Sequence, residues 1–461
     1  MSTESRYGVR QVRARAVLTL ATLNVFVLVA GVVALDIIES RPPATVPFPA
    51  AFTEDAPDMA APEAAPIDPD RLADKLDDPM SGSGVDDGLS AYVADARTGA
   101  TLYDRDAGEE AVPASTTKIV TAVSVLHSAG PDATMRTTVV NGHDDRIILV
   151  GAGDPTLTGS ADPDAYPRLA TLDDLAERTA ETLRESGVDT VSLGYDDSRY
   201  VGSDTGPGWK SNYVHEGSTA PVHALMVDGG RVHPDRPYSE REDDPPRAAA
   251  DAFADRLDDA GVDVSGQPEP VEADDGADTL ASVESPPVSA LVEKMMLESD
   301  NNLAEALAHQ VAISEGEEPS FEGAAEATRG VLEELGVSGV HVEDGSGLSV
   351  NNRITARALV ELLLVAADPD RPELHYTLSG LPTAHFTGTL NERYGSESDS
   401  SAGAGVVRGK TGTLSGVSTL AGTIYDANGR PAVFAFMAND PAAMGSTLDT
   451  FASAIAECGC S

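Results

Sequence analysis

The chain has 461 residues and a mass of 47.7 kDa, enough for two or three domains rather than one. Apolar residues at 41% supply a sizeable core, while 76 acidic against 31 basic residues leave a formal net charge of −45. That balance excludes a protein held to nucleic acid by a general positive field and argues against one that clings to anionic lipid headgroups. Two explanations of the Asp-rich composition stay open, a genomic bias and a salt-adapted surface. Only five lysines occur, Lys75, Lys118, Lys210, Lys294 and Lys410. A lysine inside a chemical motif is therefore informative.

Arg6, Arg10, Arg13 and Arg15 precede an uncharged, mostly apolar run from Ala16 to Leu35. Twenty helical residues match a bilayer core of about 30 Å, and the arginines orient the N-terminus inward. We read 1–15 as a cytoplasmic tail and 16–37 as a transmembrane anchor or signal sequence. Val32 and Ala34 offer a cleavage site, but the apolar run exceeds the usual signal length. Either way the body is exported. Residues 38–80 are rich in Pro, Ala and Asp without apolar periodicity, and read as a flexible linker. The chain shows no internal repeat.

Ser115-Thr116-Thr117-Lys118 follows Pro113 and opens an apolar stretch from Ile119 to Leu126. The pattern predicts a buried helix with Ser115 at its start. Residues three apart share a helix face, so a lysine of lowered proton affinity can serve the serine as a base. Taken alone, the motif also fits a serine that merely caps a helix. Ser299-Asp300-Asn301 lies between two apolar periodicities, Val288 to Met296 and Leu303 to Val311. Both polar residues can face one cleft only if the triplet is a loop between two helices. The alternative is a polar break with Asn302 as the cap.

Lys410-Thr411-Gly412-Thr413 leads into two β-rich runs, Val417 to Tyr425 and Pro431 to Met437, about a turn containing Asn428-Gly429. This predicts an antiparallel hairpin with Lys410 and Gly412 on one strand face. The lysine could reach a substrate carboxylate, with glycine letting a peptide lie close; the alternative is a solvent-facing lysine. Cys458 and Cys460 are two apart at the C-terminus and read as frayed thiols, with a disulfide between them or a link to a partner as the minority reading.

The three motifs together, in this order, are those of penicillin-binding proteins and class A β-lactamases. The chain resembles the penicilloyl serine transferase superfamily. With 181 positions from Lys118 to Ser299, it is most similar to the class C penicillin-binding proteins, the D-alanyl-D-alanine carboxypeptidase/endopeptidase family. Gly151-Ala-Gly-Asp-Pro-Thr-Leu157, Asp196-Asp-Ser198, Gly208-Trp209, Ala220-Pro221, Asp344-Gly-Ser-Gly-Leu-Ser349 and Gly388-Thr-Leu390 also match.

The resemblance implies an α/β (α+β) transpeptidase/β-lactamase-like domain, with a central antiparallel sheet flanked by helices, over 81–135 and 284–461. An inserted accessory subdomain would span 136–283, with a helix over 247–260, and would be removable. The resemblance further implies Ser115 as nucleophile, Lys118 as base and Ser299 as proton relay. Asn301, Lys410, Thr411, Gly412 and Thr413 would bind substrate. The backbone N–H groups of Ser115 and Thr413 would form the oxyanion hole. Repulsion between the two lysines is expected to keep Lys118 partly neutral. No metal or cofactor is implied. The implied partners are peptidoglycan peptides ending in D-Ala-D-Ala and β-lactam inhibitors, with no nucleic acid.

The alternatives are a serine β-lactamase and a non-catalytic, membrane-anchored wall-binding protein. Some members grip a free diaminopimelate end with an acid and an arginine. The matching positions here are Tyr213 and Val350, neither charged, with Glu216 and Arg353 nearby.

Overall fold

A computed structural model describes residues 64–460, save 86–87, 144, 163 and 237–238. The segment expected as anchor or signal, 16–37, lies outside the described residues, as does most of the expected linker. Among the described residues no helix is long and apolar enough to cross a membrane. From Ala64 onward the chain forms one compact unit.

The linker expectation fails at its C-terminal end, where α1 spans Pro69–Ser81. Asp68 caps it by accepting from the amides of Asp70 and Arg71, and Pro69 at its first position needs no donor. Leu72, Leu76 and Met80 recur every four residues and are fully buried. Charged residues between them mask that apolar stripe in the sequence.

The strands β1 (Leu89–Asp95), β2 (Thr101–Arg105) and β3 (Glu110–Ala111) follow, then a 3-10 turn at Ala114–Thr116 that runs into α2 (Thr117–Ser128). The inserted stretch contributes β4 (Arg136–Asn141), β5 (Arg146–Val150), α3 (Leu172–Glu185), β6 (Thr190–Asp196), α4 (Pro245–Asp259), β7 (Asp263–Val264), β8 (Glu269–Pro270) and β9 (Thr279–Glu284). After it come α5 (Val288–Glu298), α6 (Asn301–Glu315), α7 (Phe321–Leu335), β10 (Val340–His341), β11 (Arg353–Thr355), α8 (Ala356–Ala366) and a short α9 (Tyr376–Ser379). The chain closes with β12 (Arg408–Leu414), β13 (Val417–Tyr425), β14 (Pro431–Ala438) and α10 (Gly445–Ala456).

The central sheet is antiparallel in the order β12-β13-β14-β1-β2. Its hairpin from Val417 to Ala438 is the one expected from sequence. Side chains alternate across it. Val433, Ala435 and Met437 pack with α2, α5, α6, α7 and α8, whereas Phe434, Phe436 and Ala438 pack with α1 and α10. Both faces are therefore covered by helices.

The C-terminus is not frayed. Cys458 and Cys460 form a disulfide and are both buried with the α1 and α10 side chains. Arg71 donates to the Gly459 carbonyl at 2.8 Å, and the Asp68 amide donates to the Cys460 carbonyl at 2.9 Å. The sequence hides this because the apolar partners lie almost 400 positions earlier, in the expected linker.

The second sheet runs β7-β6-β5-β4-β9, with β8 on β6 and a separate core under α3 and α4. Between β6 and α4 the chain leaves that sheet; Leu225 and Val227 stay with its core, while the stretch around Trp209 and Ala220 reaches the transpeptidase-like part. The Trp209 indole donates to Asp344 at 2.7 Å, and the Ala220 amide donates to Asn302 at 2.9 Å. The sheet and the site-facing segment are thus parts of one insertion with different roles.

Because α1 belongs to the packed unit, Leu76→Ala should destabilise the protein by about 2–5 kcal/mol. Urea unfolding checks this: a linker residue would leave the midpoint unchanged.

Candidate active site

The three motifs converge on one cleft of about 1510 Å³, lined among others by Ser115, Ser299, Asn301 and Thr413. Ser115 lies in the 3-10 turn entering α2, half-buried, after Ala114 in a left-handed conformation (φ 49°). Ser299 is also left-handed (φ 58°), where α5 ends and α6 has not begun. Such conformations cost roughly 1–3 kcal/mol in non-glycine residues and mark functional turns. The cap of α6 is Asp300, whose side chain accepts from the Leu303 amide at 2.9 Å, and not Asn302. The expected loop between two helices is present.

Lys118 is fully buried at the second position of α2, one turn after Ser115. Its Nζ donates to Ser115 Oγ (3.2 Å), Asn301 Oδ1 (2.7 Å) and the Ser346 carbonyl (2.8 Å). Three acceptors use all three ammonium protons. Burial pushes this ammonium down to about 8, against the opposing pull of Glu305, Asp344 and Asp300. The expected cause, repulsion by Lys410, is not what lowers it. Repulsion acts on the other lysine, since Lys410 is held well below its ordinary value first by burial and then by the Lys118 charge.

Lys410 is buried too, which removes the solvent-facing alternative. Its Nζ donates to Ser299 Oγ at 2.8 Å and to the Thr411 carbonyl at 2.9 Å. Thr411 shares a hydrogen bond of 3.0 Å with Thr389, whose loop carries the Gly388-Thr-Leu390 match. Gly412 is required for a nearer reason than substrate approach. A Cβ there would lie 2.9 Å from the Ser115 amide and 2.7 Å from the Pro113 carbonyl. The bare backbone lets β12 close against the Ser115 turn.

Several residues that the motifs do not contain hold this arrangement. Glu305 is buried on α6 and accepts from the Gly345 and Ser346 amides at 2.8 Å each. Asp344 accepts from the amides of Gly347 (2.9 Å) and Ser349 (2.6 Å) and from Asn352 (2.7 Å). These bonds aim the Ser346 carbonyl at Lys118. Burial and the Asp344 charge push Glu305 above the ordinary carboxylate range. A lone acid among Leu303, Ala304, Ala306 and Leu307 was its only sequence signal.

Asn301 faces both sides, because its Nδ2 donates to the Ser218 carbonyl of the insertion at 2.8 Å. Excising 136–283 would remove that carbonyl and the Trp209 contact with Asp344. The expected removability is withdrawn.

Comparison with known proteins places these features in a family. Residues 71–237 and 233–457 match the D-Ala-D-Ala carboxypeptidase 3 (S13) family. A carboxypeptidase of Mycobacterium tuberculosis is 36% identical over 383 residues, covering 81% of each chain. Carboxypeptidase DacB of Mycolicibacterium smegmatis is 36% identical over 381 residues, again covering 81% of each. Among solved structures, penicillin-binding protein 4 of Haemophilus influenzae superposes with a TM-score of 0.67 at 21% identity, covering 84% of this chain and 98% of that one. That last likeness speaks for the fold.

With five lysines in the chain, 13Cε-lysine labelling should give five resolvable signals. The Lys118 signal should titrate near pH 8, charged below and neutral above, and Lys410 should also lose its proton below the ordinary lysine range. Five signals titrating together above pH 10 would contradict this site.

Proposed function

The chain belongs to the D-Ala-D-Ala carboxypeptidase 3 (S13) family and is a serine-type carboxypeptidase; on that premise we propose that it trims peptidoglycan stem peptides or their cross-links through an acyl-enzyme on Ser115. The observation that carries this reading is the buried Lys118 amine, 3.2 Å from Ser115 Oγ with a proton affinity lowered to about 8. At pH 7 about one-tenth of it is neutral and able to accept a proton.

Ser115 Oγ attacks the carbonyl of the penultimate D-alanine and its proton passes to Lys118. The backbone N–H groups of Ser115 and Thr413 hold the resulting oxyanion, each donor being worth about 2.7–4 kcal/mol in comparable sites. The C–N bond breaks, and the proton that Lys118 took from Ser115 is returned to the departing D-alanine nitrogen, with Ser299 as the relay. Ser299 suits this role because its hydroxyl accepts from the Lys410 ammonium. Lys410 attracts the terminal carboxylate, assisted by Thr411 and Thr413. The second N–H of Asn301, beyond the one given to Ser218, is available to the substrate amide. Water then hydrolyses the ester and restores Ser115.

A β-lactamase of the class A kind would need a carboxylate free to activate the deacylating water. The carboxylates around Lys118 are engaged, Glu305 and Asp344 with backbone amides and Asp300 with Arg231. This supports slow release of penicillin. A non-catalytic wall-binding protein would have no need of two buried, destabilising lysines. We place the catalytic part outside the cytoplasmic membrane, exported through 16–37.

Penicillin should acylate Ser115 with an adduct that outlasts many turnovers of peptide substrate. A fluorescent penicillin gel checks it; labelling of Ser115→Ala, or brisk nitrocefin turnover by the wild type, would overturn the assignment.

Specificity for the third stem residue can also be tested. Tyr213 is buried and uncharged, and Val350 is exposed. The two nearby substitutes already hold partners, Arg353 Nη1 donating to the Val350 and Asn352 carbonyls and Glu216 Oε1 accepting from Asn212. A lost charge-assisted hydrogen bond forfeits about 1.5–3 kcal/mol, roughly ten- to hundred-fold preference. Peptides with amidated diaminopimelate should thus be cleaved within a few-fold of the free acid. A strong preference in kcat/KM for the free acid would move the grip to Arg168, Lys210 and Arg236, which line the same cleft.

A further inference from the structure

The insertion grips three consecutive residues where the Ser299 loop enters α6. Arg231 follows the 3-10 turn Asp228–Gly230; its Nη2 donates to Asp300 Oδ2 at 2.7 Å and its Nη1 to the Asp228 carbonyl at 3.1 Å. Asn301 is tied to Ser218 as described. Asn302 accepts from the Ala220 amide and donates to the Ala220 carbonyl. Arg241, bridged to Arg231 along the backbone, donates to the carbonyls of Gly217 (3.1 Å) and Gly229 (2.6 Å), on either side of the Ser218–Ala220 stretch.

The Arg231–Asp300 pair is mostly hidden from solvent, with side-chain exposures of 22% and 10%. Capping α6 does not need it. Asp300 Oδ1 accepts from the Leu303 amide, and an asparagine would cap equally well. A desolvated ion pair is also a poor stabiliser compared with apolar packing. The second carboxylate oxygen and its charge therefore serve geometry rather than the helix.

We propose that Arg231 is a positioning residue which, through Asp300, holds Ser299 against Lys410 and Asn301 against Lys118, so that the insertion completes the active site. The inference rests on the proposed acyl-enzyme only for its kinetic readout. The titratable groups facing the Lys118 amine are Asp300, which caps α6, Glu305 within α6, Asp344 of the loop after β10 and Lys410 of β12. Arg231, with Arg241 behind it, offsets Asp300; burial would raise the Asp300 carboxyl, yet these arginines bring it down to about 2. Without Arg231, the uncompensated carboxylate would favour the Lys118 ammonium.

Arg231→Met should lower the second-order rate of penicillin acylation about 10- to 100-fold, the usual cost of a misplaced catalytic group. Its acid limb should move up by about half a pH unit. Arg231→Lys should recover most of both, and Asp300→Asn, which keeps the cap, should move the limb down. A merely structural role would lower the labelled fraction without moving the limb. Hydrogen exchange over residues 299–303, which needs no activity, should rise in Arg231→Met. An unacylated wild type would then count against the proposed function alone. Wild-type acylation, limb and exchange in Arg231→Met would overturn the positioning role. Should that variant fail to fold, an unmoved limb in both Arg231→Lys and Asp300→Asn would overturn it equally.

Discussion

The buried ammonium of Lys118 is the constraint around which the rest is arranged. An amine of this kind is expensive to bury, and it is tolerated only with each of its protons accepted. Its three acceptors come from three separate parts of the chain: the Ser115 turn, the start of α6, and the loop before β11. Each part must therefore be in place before the amine can be. Burial that is costly for folding is what lowers the proton affinity towards neutrality, where a base for serine is useful.

Carboxylates around this amine are used mainly as braces. Glu305 and Asp344 spend their oxygens on backbone amides of the 344–349 loop, so that a carbonyl, and not a charge, meets Lys118. Asp300 has its charge offset by Arg231. A carboxylate in direct contact would have pulled the amine back towards its charged form. Indirect support keeps the geometry and limits that pull.

Close approach is the other requirement. Gly412 lets the β12 backbone reach the Ser115 turn, and a Cβ at Gly347 would collide with the Ala114 carbonyl. Ala114 and Ser299 both accept a left-handed backbone. The surrounding sheet and helices hold these turns, as expected where strain accompanies function.

The sequence alone determined the chemistry and the scaffold that presents it. The order of Ser115–Lys118, Ser299–Asn301 and Lys410–Thr413, together with the apolar periods beside them, was enough for the helix start, the loop and the strand. Local spacing carries that information because one helix turn or one strand pleat sets which side chains share a face. Tertiary structure decided the rest. Leu72, Leu76 and Met80 look like linker residues until α10 and the disulfide-bonded C-terminus cover them. Glu305 looks like a misplaced surface acid until the 344–349 loop folds onto it. Arg231 lies 69 positions from Asp300, and nothing local connects them. The depression of Lys118 arises from burial rather than from Lys410, because desolvation depends on everything packed around a group and neighbour charges only on a few. Such effects belong to no short stretch of chain, and only the assembled fold contains them.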